Sequence, residues 1–416
     1  MLQNRDHVIR IGIIDMRVVY ALLMIAMCAV SHAGEPLDLR AGVDLRLVNS
    51  NSVDSFIGGG YGRTRFDTQH DGIRLGAAYL AAKYRLTDTL TLHGDALGYA
   101  DGNSNALDVT QLYLQWRPFP FSSLRFSSKI GMFYPDVSME NRGPAWTPVY
   151  TITPSAINSW YGEELRTVGT EITARWLGAS HGYQGDVALI GGAYAWNDPI
   201  GVGVAGHGWN LHDRQSGLFG YSITTGNRID HVREFREIDG RAGFYAGLDW
   251  RHGDHLEVRA FRYNNRADPD AVKNNVYAWL TRFDTVAARW EVNADWTVIA
   301  QWLQGETFIG PQDSWGAAWD MKSQFLLLSR QWDSWRFSVR RDEFSTNQYR
   351  GFGVPHLFDD RGSAWTAAVL KEFDQHVQLA SEWMQVDSTF EPRGFTMNPR
   401  QLETQFQLSL RYKWHH

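Results

Sequence analysis

The last stretch of the chain, QLETQFQLSLRYKW from Gln401 to Trp414, decides the fold. Successive side chains of a β-strand point to opposite faces of the sheet. One face of this stretch is almost entirely apolar and consists of Leu402, Thr404, Phe406, Leu408, Leu410, Tyr412 and Trp414. The other face is polar and consists of Gln401, Glu403, Gln405, Gln407, Ser409, Arg411 and Lys413. The stretch therefore predicts a strand with one face toward an apolar environment and the other toward water. It exceeds the roughly 9–11 residues that a tilted membrane strand needs.

The same alternation recurs from Asp38 onward and predicts about 16 strands, an even number as in single-chain outer-membrane barrels. Their connections alternate between short turns and long loops, which is typical of barrels with short periplasmic turns and longer external loops. We therefore predict that residues 34–416 form an all-β, transmembrane antiparallel barrel with up-and-down topology. Closure leaves no unpaired sheet edge in the lipid.

Residues 1–33 have the pattern of a secretory signal peptide. Arg17 precedes the apolar run from Val18 to Val30, which is too short to span a bilayer, and Ser31-His32-Ala33 supplies small residues for cleavage. Cys28, the single cysteine, lies inside this run. The chain has 416 residues and a formal net charge of -6, and this mildly acidic balance argues against a nucleic-acid partner.

Aromatic residues are frequent at the predicted strand ends, and the sequence has 18 Trp. Beside the short turns and the C-terminus lie Trp116, Trp176, Trp250, Trp290, Trp296, Trp332, Trp335 and Trp414. Beside the long loops lie Tyr99, Phe133, Tyr194, Tyr263, Tyr277, Phe308, Phe344 and Trp365. Because such rings prefer the headgroup level, we expect both sets to form belts against the bilayer.

The third long loop, Tyr134 to Glu163, contains four prolines and several aromatic side chains, so we expect it to pack rather than to stay disordered. A barrel of this size leaves an aqueous lumen unless something fills it. The first strand follows the signal segment almost directly, so we expect a loop rather than an N-terminal plug to narrow the lumen.

In architecture the whole mature chain resembles Gram-negative outer-membrane porins: a signal, the strand number, unequal loops and an aromatic C-terminal strand. The resemblance implies that the third loop bends into the barrel as a constriction, and that the chain assembles as a homotrimer. The Pro-Glu-Phe-Gly-Gly motif of general porins is absent. The segment Tyr134-Pro135-Asp136-Val137-Ser138-Met139-Glu140-Asn141 is more similar to phosphate-selective O/P-type porins. Small residues of the second strand, Gly76, Ala77, Ala78, Ala81 and Ala82, are candidates for close subunit contact.

Charged residues of the third loop and of the predicted inner wall are the candidate pore lining. The loop supplies Asp136, Glu140, Glu163 and Glu164, and the wall supplies Arg40, Asp44, Arg46, Arg74, Arg166, Arg175, Arg259, Arg336, Arg340 and Arg411. Opposed acids and bases would create a transverse field that sorts solutes by charge. Alternatively, the bases pair with Asp44, Glu171, Asp249, Glu257 and Glu403 and only solvate the lumen. The mixed charge leaves anion or cation preference open.

Catalytic and metal sites are weakly indicated. His93 and Asp95 share a strand face but no activated serine is evident beside them, and His207 and His212 of the fourth loop lack clear ligand partners. We therefore expect no enzyme activity, cofactor or metal. The expected function is passive diffusion of small polar solutes or ions through a barrel in outer-membrane lipid. The alternative is a plugged barrel with a ligand-binding, structural or hydrolytic role.

Overall fold

The fold is a closed antiparallel barrel, seen in a computed structural model that describes residues 36–101, 107–220, 222–224, 230–311, 313–351 and 356–416. Sixteen strands follow one another around the ring in chain order, as the alternation of the sequence predicts. The predicted signal peptide, residues 1–33, lies outside the described residues. Within the described ranges, no helix has the length and apolar character needed to cross a membrane.

The bounds of the strands follow, including two small hairpins that are not hydrogen-bonded into the barrel sheet. They are β1 (Leu37–Ser50), β2 (Gly72–Arg85), β3 (Leu90–Gly98), β4 (Leu107–Trp116), β5 (Leu124–Phe133), β6 (Thr167–Trp176), β7 (Gly185–Ala195), the hairpin β8 (Ser222–Thr224) and β9 (Asp230–Val232), β10 (Gly243–His252), β11 (Leu256–Asn264), the hairpin β12 (Val272–Lys273) and β13 (Val276–Tyr277), β14 (Trp279–Glu291), β15 (Trp296–Ile309), β16 (Ala317–Trp332), β17 (Trp335–Arg350), β18 (Asp360–Glu372), β19 (Val377–Phe390) and β20 (Arg400–His415).

The C-terminal strand closes the ring against the first. β20 pairs with β1 from Arg40↔His415 to Ser50↔Gln405. Leu39 and His416 also exchange two backbone hydrogen bonds, so the ladder includes the last residue of the chain. The side chains of β20 alternate as predicted: Leu402 is 57% exposed and Glu403 is 1% exposed. The apolar face of this strand therefore points outward and its polar face points into the barrel.

Three long loops fold into the barrel from the end that carries the long connections, which we call the loop end. They are the first loop (residues 51–71), the third loop (residues 134–166) and the fourth loop (residues 196–242), and most of their described side chains are buried. The third loop contains helix α1 (Ala156–Glu164), which begins after Ser155 because the Ser155 side chain accepts a hydrogen bond from the N–H of Asn158. The fourth loop contains the short helix α2 (Val202–Gly206).

A hydrophobic core fills the loop end of the lumen. Inward side chains of the strands pack there against the third and fourth loops. Its strand members include Ile190, Tyr194, Tyr245, Phe261, Tyr263, Phe283, Leu303, Phe325, Leu327, Phe344 and Met384, and its loop members include Val137, Met139, Ile157, Trp160, Tyr161, Val204, Trp209 and Leu211. The interior at the loop end is therefore packed like the inside of a soluble domain.

Of the two expected aromatic belts, the one at the turn end is present and most of the one at the loop end is not. At the opposite end, which we call the turn end, Trp116, Trp250, Trp290, Trp332 and Trp335 are exposed on the outer surface, as expected. The belt predicted beside the long loops is wrong for most of its members. Tyr99, Phe133, Tyr194, Tyr263 and Phe344 are 0–6% exposed because they lie inside the barrel, mostly in its core. Trp365 does face outward and is 46% exposed.

Candidate functional site

The third loop crosses the lumen and is fixed to the far wall by charged groups. The backbone N–H groups of Ile152 and Thr153 donate to the carboxylate of Glu382 on β19, at 2.6 and 3.0 Å. On β17, Arg340 donates to the carbonyl oxygens of Thr153 and Pro154 at 2.8 and 2.9 Å. The loop backbone is thus held by buried side chains of two strands.

Glu140 joins the start of the third loop to α1 and to the same wall. Its Oε1 accepts from the N–H of Ser155 at 2.6 Å and from Nδ2 of Asn158 at 3.0 Å, and its Oε2 lies 3.6 Å from Nη1 of Arg340. Burial raises the pKa of Glu140 above its ordinary value, although Arg340 acts in the opposite direction. Glu140 therefore braces the loop and does not face an open pore.

Asp136 and Arg259 form a second contact between the third loop and the wall. Nη1 of Arg259 on β11 lies 2.8 Å from Oδ1 of Asp136. The same guanidinium pairs with Asp249 at 2.7 Å and with Glu257 at 2.8 Å. Asp249 also pairs with Arg175 of β6 at 2.9 Å. The two arginines and three carboxylates therefore form one network on the part of the wall toward the turn end.

Glu163 and Glu164, at the end of α1, contact the fourth loop. The two oxygens of Glu163 lie 3.4 Å from Nε2 of His207 and 3.4 Å from Nε2 of His212. Glu164 accepts from the N–H groups of Gly201 and Val204 around the start of α2. Burial and the neighbouring Glu163 raise the pKa of Glu164 to about 7. Burial opposes charge on both partners, yet Glu163 raises the pKa of His207 and His207 lowers that of Glu163.

Arg166 and Arg46 also bind loops. Arg166, just after α1, is fully buried, stacks on the ring of Tyr134 and donates to its hydroxyl at 2.5 Å. Arg46 of β1 pairs with Asp44 at 2.6 Å and with Asp213 of the fourth loop at 2.5 Å. Arg46 leads the groups that lower the pKa of Asp213, although burial alone would raise it.

The first loop supplies two buried bases that the sequence interpretation missed. Arg65 pairs with Asp213 at 2.9 Å, and Arg63 pairs with Asp360 of β18 at 2.5 Å. The sequence interpretation assigned no role to either base. The only signal for a packed role was the spacing of Arg63 and Arg65, which gives no indication of their partners.

Two vestibules remain open toward the turn end, one on each side of the third loop. They are separated by residues 143–146, where Ala145 packs against Ala77, Leu97 and Tyr99. The first vestibule has a volume of 490 Å³, and its charged lining residues are Asp44, Arg46, Asp213, Arg336, Glu372, Arg411 and Lys413. The second has a volume of 540 Å³, and its charged lining residues, apart from His93, are Asp38, Arg40, Lys83, Asp95, Arg117, Lys129, Asp136, Arg142, Arg251 and Glu257.

The remaining candidate residues lie at different levels of the wall. Arg40, Arg336 and Arg411 line the vestibules; Arg40 pairs with Asp38 at 3.0 Å and Arg411 with Asp44 at 3.3 Å. Arg74 lies at the loop-end rim, where it donates to backbone carbonyls of the first loop. The candidate set therefore does not converge on one ring: part braces loops, part lines vestibules and Arg74 stays at the rim.

The residues weighed for catalysis or metal binding have other contacts. His93 stacks on Tyr113 with ring centroids 4.6 Å apart. Asp198, Glu237 and Asp239 lie close enough to share a cation, but each of their carboxylates accepts backbone N–H groups of the surrounding loops. These carboxylates accept hydrogen bonds from the nearby backbone, and this explains why they lie close together without an ion.

Comparisons with known proteins identify the fold. No protein-family model matches the sequence, and none of the curated proteins matches it. Among solved structures, OmpT of Vibrio cholerae in a trimer form matches with a TM-score of 0.52, 12% identity, 91% of this chain and 99% of that chain. The outer-membrane channel DcaP of Acinetobacter baumannii matches with 0.52, 9%, 91% and 96%. OmpF of Salmonella typhi, in complex with daunomycin, matches with 0.51, 13%, 91% and 97%. At such low identity, these likenesses show a shared barrel fold.

Proposed function

We propose that this chain is a porin of the Gram-negative outer membrane, through which small polar or charged solutes diffuse down their gradients. The observation that carries the proposal is the third loop, which crosses a closed barrel and leaves a charged vestibule on each side. The fold that the chain shares with OmpT, DcaP and OmpF supports it. The proposal includes no catalytic step and no cofactor.

The proposed solute path through the barrel is narrow. Three loops and the core occupy the loop end, so a solute must pass where the third loop meets the first and fourth loops and the wall. Charged side chains there replace part of the hydration shell of an ion, which lowers the cost of entry. We expect discrete channels of small conductance.

We further propose a preference for anions. Bases outnumber acids in both vestibules, four to three in the first and six to four in the second, with histidine left out. Lys83 and Arg117 of the second vestibule are exposed, and neither has a carboxylate within 4.0 Å in the part of the chain that the structure describes. Unpaired bases attract anions more strongly than bases held in ion pairs.

Reversal potentials of the purified protein in planar bilayers under a salt gradient test both points. We expect discrete openings with an anion-selective potential, and Lys83→Glu should shift that potential toward cations. Arg74→Glu is the matched control, because Arg74 is an inward base of the same strand at the rim, outside both vestibules. Silence from correctly folded protein would instead indicate the plugged barrel, and equal shifts in both variants would refute the vestibule path.

We also propose assembly as a homotrimer, through the outer face of β1 to β7. No outward side chain of these strands is an Asp, Glu, Lys or Arg, and many are small or apolar. Of the small residues singled out on β2, Ala77 and Ala81 point into the barrel and Ala78 is 0% exposed, so Ala82 is the outward and accessible one that can meet a neighbour. Native mass spectrometry in a mild detergent should give the trimer mass, and monomers alone would refute the interface.

A further inference from the structure

The first vestibule has a broad apolar wall. Its volume is 490 Å³, and the third loop and β18 supply much of this wall. The apolar lining residues include Ala77, Leu97, Pro144, Pro148, Val149, Ile152 and Leu370. Small-molecule sites are typically cavities of about 300–1,000 Å³ with mainly apolar walls and a few polar groups that orient the ligand. The first vestibule therefore has the size and the surface of a binding site, and not only those of an aqueous passage.

The charges of this vestibule leave one base without an acidic partner. All of its lining acids are held by bases within 4.0 Å, in the pairs Asp44–Arg46, Asp213–Arg46, Asp44–Arg411 and Glu372–Lys413. The remaining lining base is Arg336 of β17. It has no carboxylate within 4.0 Å in the part of the chain that the structure describes. The vestibule therefore offers one uncompensated positive charge to a solute.

The guanidinium of Arg336 is held in place on one side and open on another. Its Cζ lies 5.1 Å from the centre of the Tyr150 ring, and its Nη1 donates to Oγ of Ser329 at 3.2 Å. Its Nε and Nη2 have no hydrogen-bond partner among the residues that the structure describes. A guanidinium binds a carboxylate through two parallel N–H···O bonds, and Nε and Nη2 are a suitable pair of donors. Arg336 is therefore prepared to orient one carboxylate.

Arg336 and the apolar wall are adjacent. Arg336 pairs in register with Leu370, and side chains directly opposite each other on paired strands lie on one face. Leu370 belongs to the same apolar cluster as Ile152 of the third loop. Tyr150, whose ring contacts the guanidinium, follows Val149 of the lining in the chain. An anion held at Arg336 can therefore lay an aliphatic body on these side chains without leaving the vestibule.

We propose that the first vestibule binds a monocarboxylate with an aliphatic body, whose carboxylate pairs with Arg336 and whose chain lies against Val149 and Leu370. The inference rests on the proposed function and deepens it, because it names a class of solute for one of the two vestibules. A small inorganic anion would gain nothing from the apolar wall. A second negative charge on the solute would find no further unpaired base among the described lining residues.

Titration of the purified full chain in phosphatidylcholine nanodiscs with hexanoate and butanoate tests the proposal. Binding is followed by NMR line broadening of the carboxylate, with empty nanodiscs as the blank. Hexanoate has two more methylene groups, each worth about a factor of four in affinity when buried, so it should bind about 15-fold more tightly than butanoate. Arg336→Gln should weaken hexanoate binding by about tenfold or more, because it removes a charge-assisted pair of hydrogen bonds.

Two further variants locate the site. Arg74→Gln is the matched control for charge, because Arg74 is an inward base at the loop-end rim, outside the vestibule. It should change hexanoate affinity less than about twofold, since salt screens a charge at that distance. Val149→Thr keeps the shape of the side chain but adds a hydroxyl to the apolar wall. It should reduce the preference for hexanoate over butanoate from about 15-fold to about fivefold.

Three results would overturn the site: equal affinity for the two carboxylates, unchanged affinity in Arg336→Gln, or an equal loss in Arg74→Gln. Binding is measured without current, so its result is separate from that of the conductance experiment. Anion-selective channels without a preference for hexanoate would refute this class of solute and leave the proposed function standing. Binding of hexanoate through Arg336 by a barrel that stays silent in bilayers would support the site and refute free diffusion.

Discussion

Basic side chains at the two ends of the lumen differ in their exposure to water and in their pairing. At the turn end, bases such as Arg40 and Lys413 line open vestibules and remain partly exposed. At the loop end, Arg63 and Arg340 are completely buried and held by carboxylates and backbone carbonyls. A charge in a vestibule stays hydrated and acts on solutes, whereas a buried charge must be fully paired and acts on the fold. The same residue type therefore has a transport role at one end and a structural role at the other.

Replacing arginines of β17 should give the largest difference in stability loss between the loop end and the turn end. Arg340→Ala leaves the buried Asp342 and Glu140 without their cation and frees the third loop. We expect a loss of about 3–5 kcal/mol in the free energy of unfolding, measured by urea titration in lipid vesicles. Arg336→Ala, four residues away in the first vestibule, removes a contact with Tyr150 and one hydrogen bond and should cost about 1 kcal/mol. Equal losses would remove the distinction between the ends.

A charge on the lipid face of β20 should have the next largest effect. Leu408→Arg places a guanidinium toward hydrocarbon and should cost about 2–4 kcal/mol near the midplane. Arg411→Leu changes the inward face of the same strand, and Asp44 keeps Arg46 as a partner, so it should fold normally and alter ion preference. The same unfolding assay measures both. Similar losses for both variants would contradict the assigned register.

The contact between α1 and the fourth loop should make the loop end sensitive to pH. The pKa of Glu164 is raised from 4.5 to about 7 in the fold, so folding binds a proton and stability falls as pH rises through that window. The raised pKa of His207 adds to this loss above pH 6.5, whereas the lowered pKa of Glu163 matters only below pH 4.5. Heat unfolding should show a stability lower at pH 8 than at pH 5.5 by on the order of 1 kcal/mol. Glu164→Gln should flatten this dependence; an unchanged slope would exclude Glu164 as its source.

The sequence predicted the strands, their number and the facing of β20 because period-two alternation is a local property. The burial of the five aromatic residues beside the long loops was not predicted, although the alternation of side chains along the strands indicated it. Tyr263 is four residues from Arg259 and Phe344 is four residues from Arg340, so each shares the inward face of its base. The number of aromatic residues at the strand ends suggested a belt, but the strand face on which each residue lies is the stronger indication of its position.

Most of the candidate site could not be derived in this way. Arg63 finds Asp360 nearly three hundred residues away, and Glu163 finds His207 only because the third and fourth loops fold into the same space. Partner choice among buried charges depends on closure of the ring, which no local pattern encodes.

The most direct test of the account is thiol modification of the third loop during current recording. Cys28, the single cysteine, lies in the predicted signal peptide, so a mature chain carries no competing thiol. Thr147→Cys places one in the first vestibule, and Leu326→Cys places one on the lipid face. A bulky thiol reagent should reduce single-channel conductance of Thr147→Cys and leave that of Leu326→Cys unchanged. Full conductance in modified Thr147→Cys would contradict a path beside the third loop.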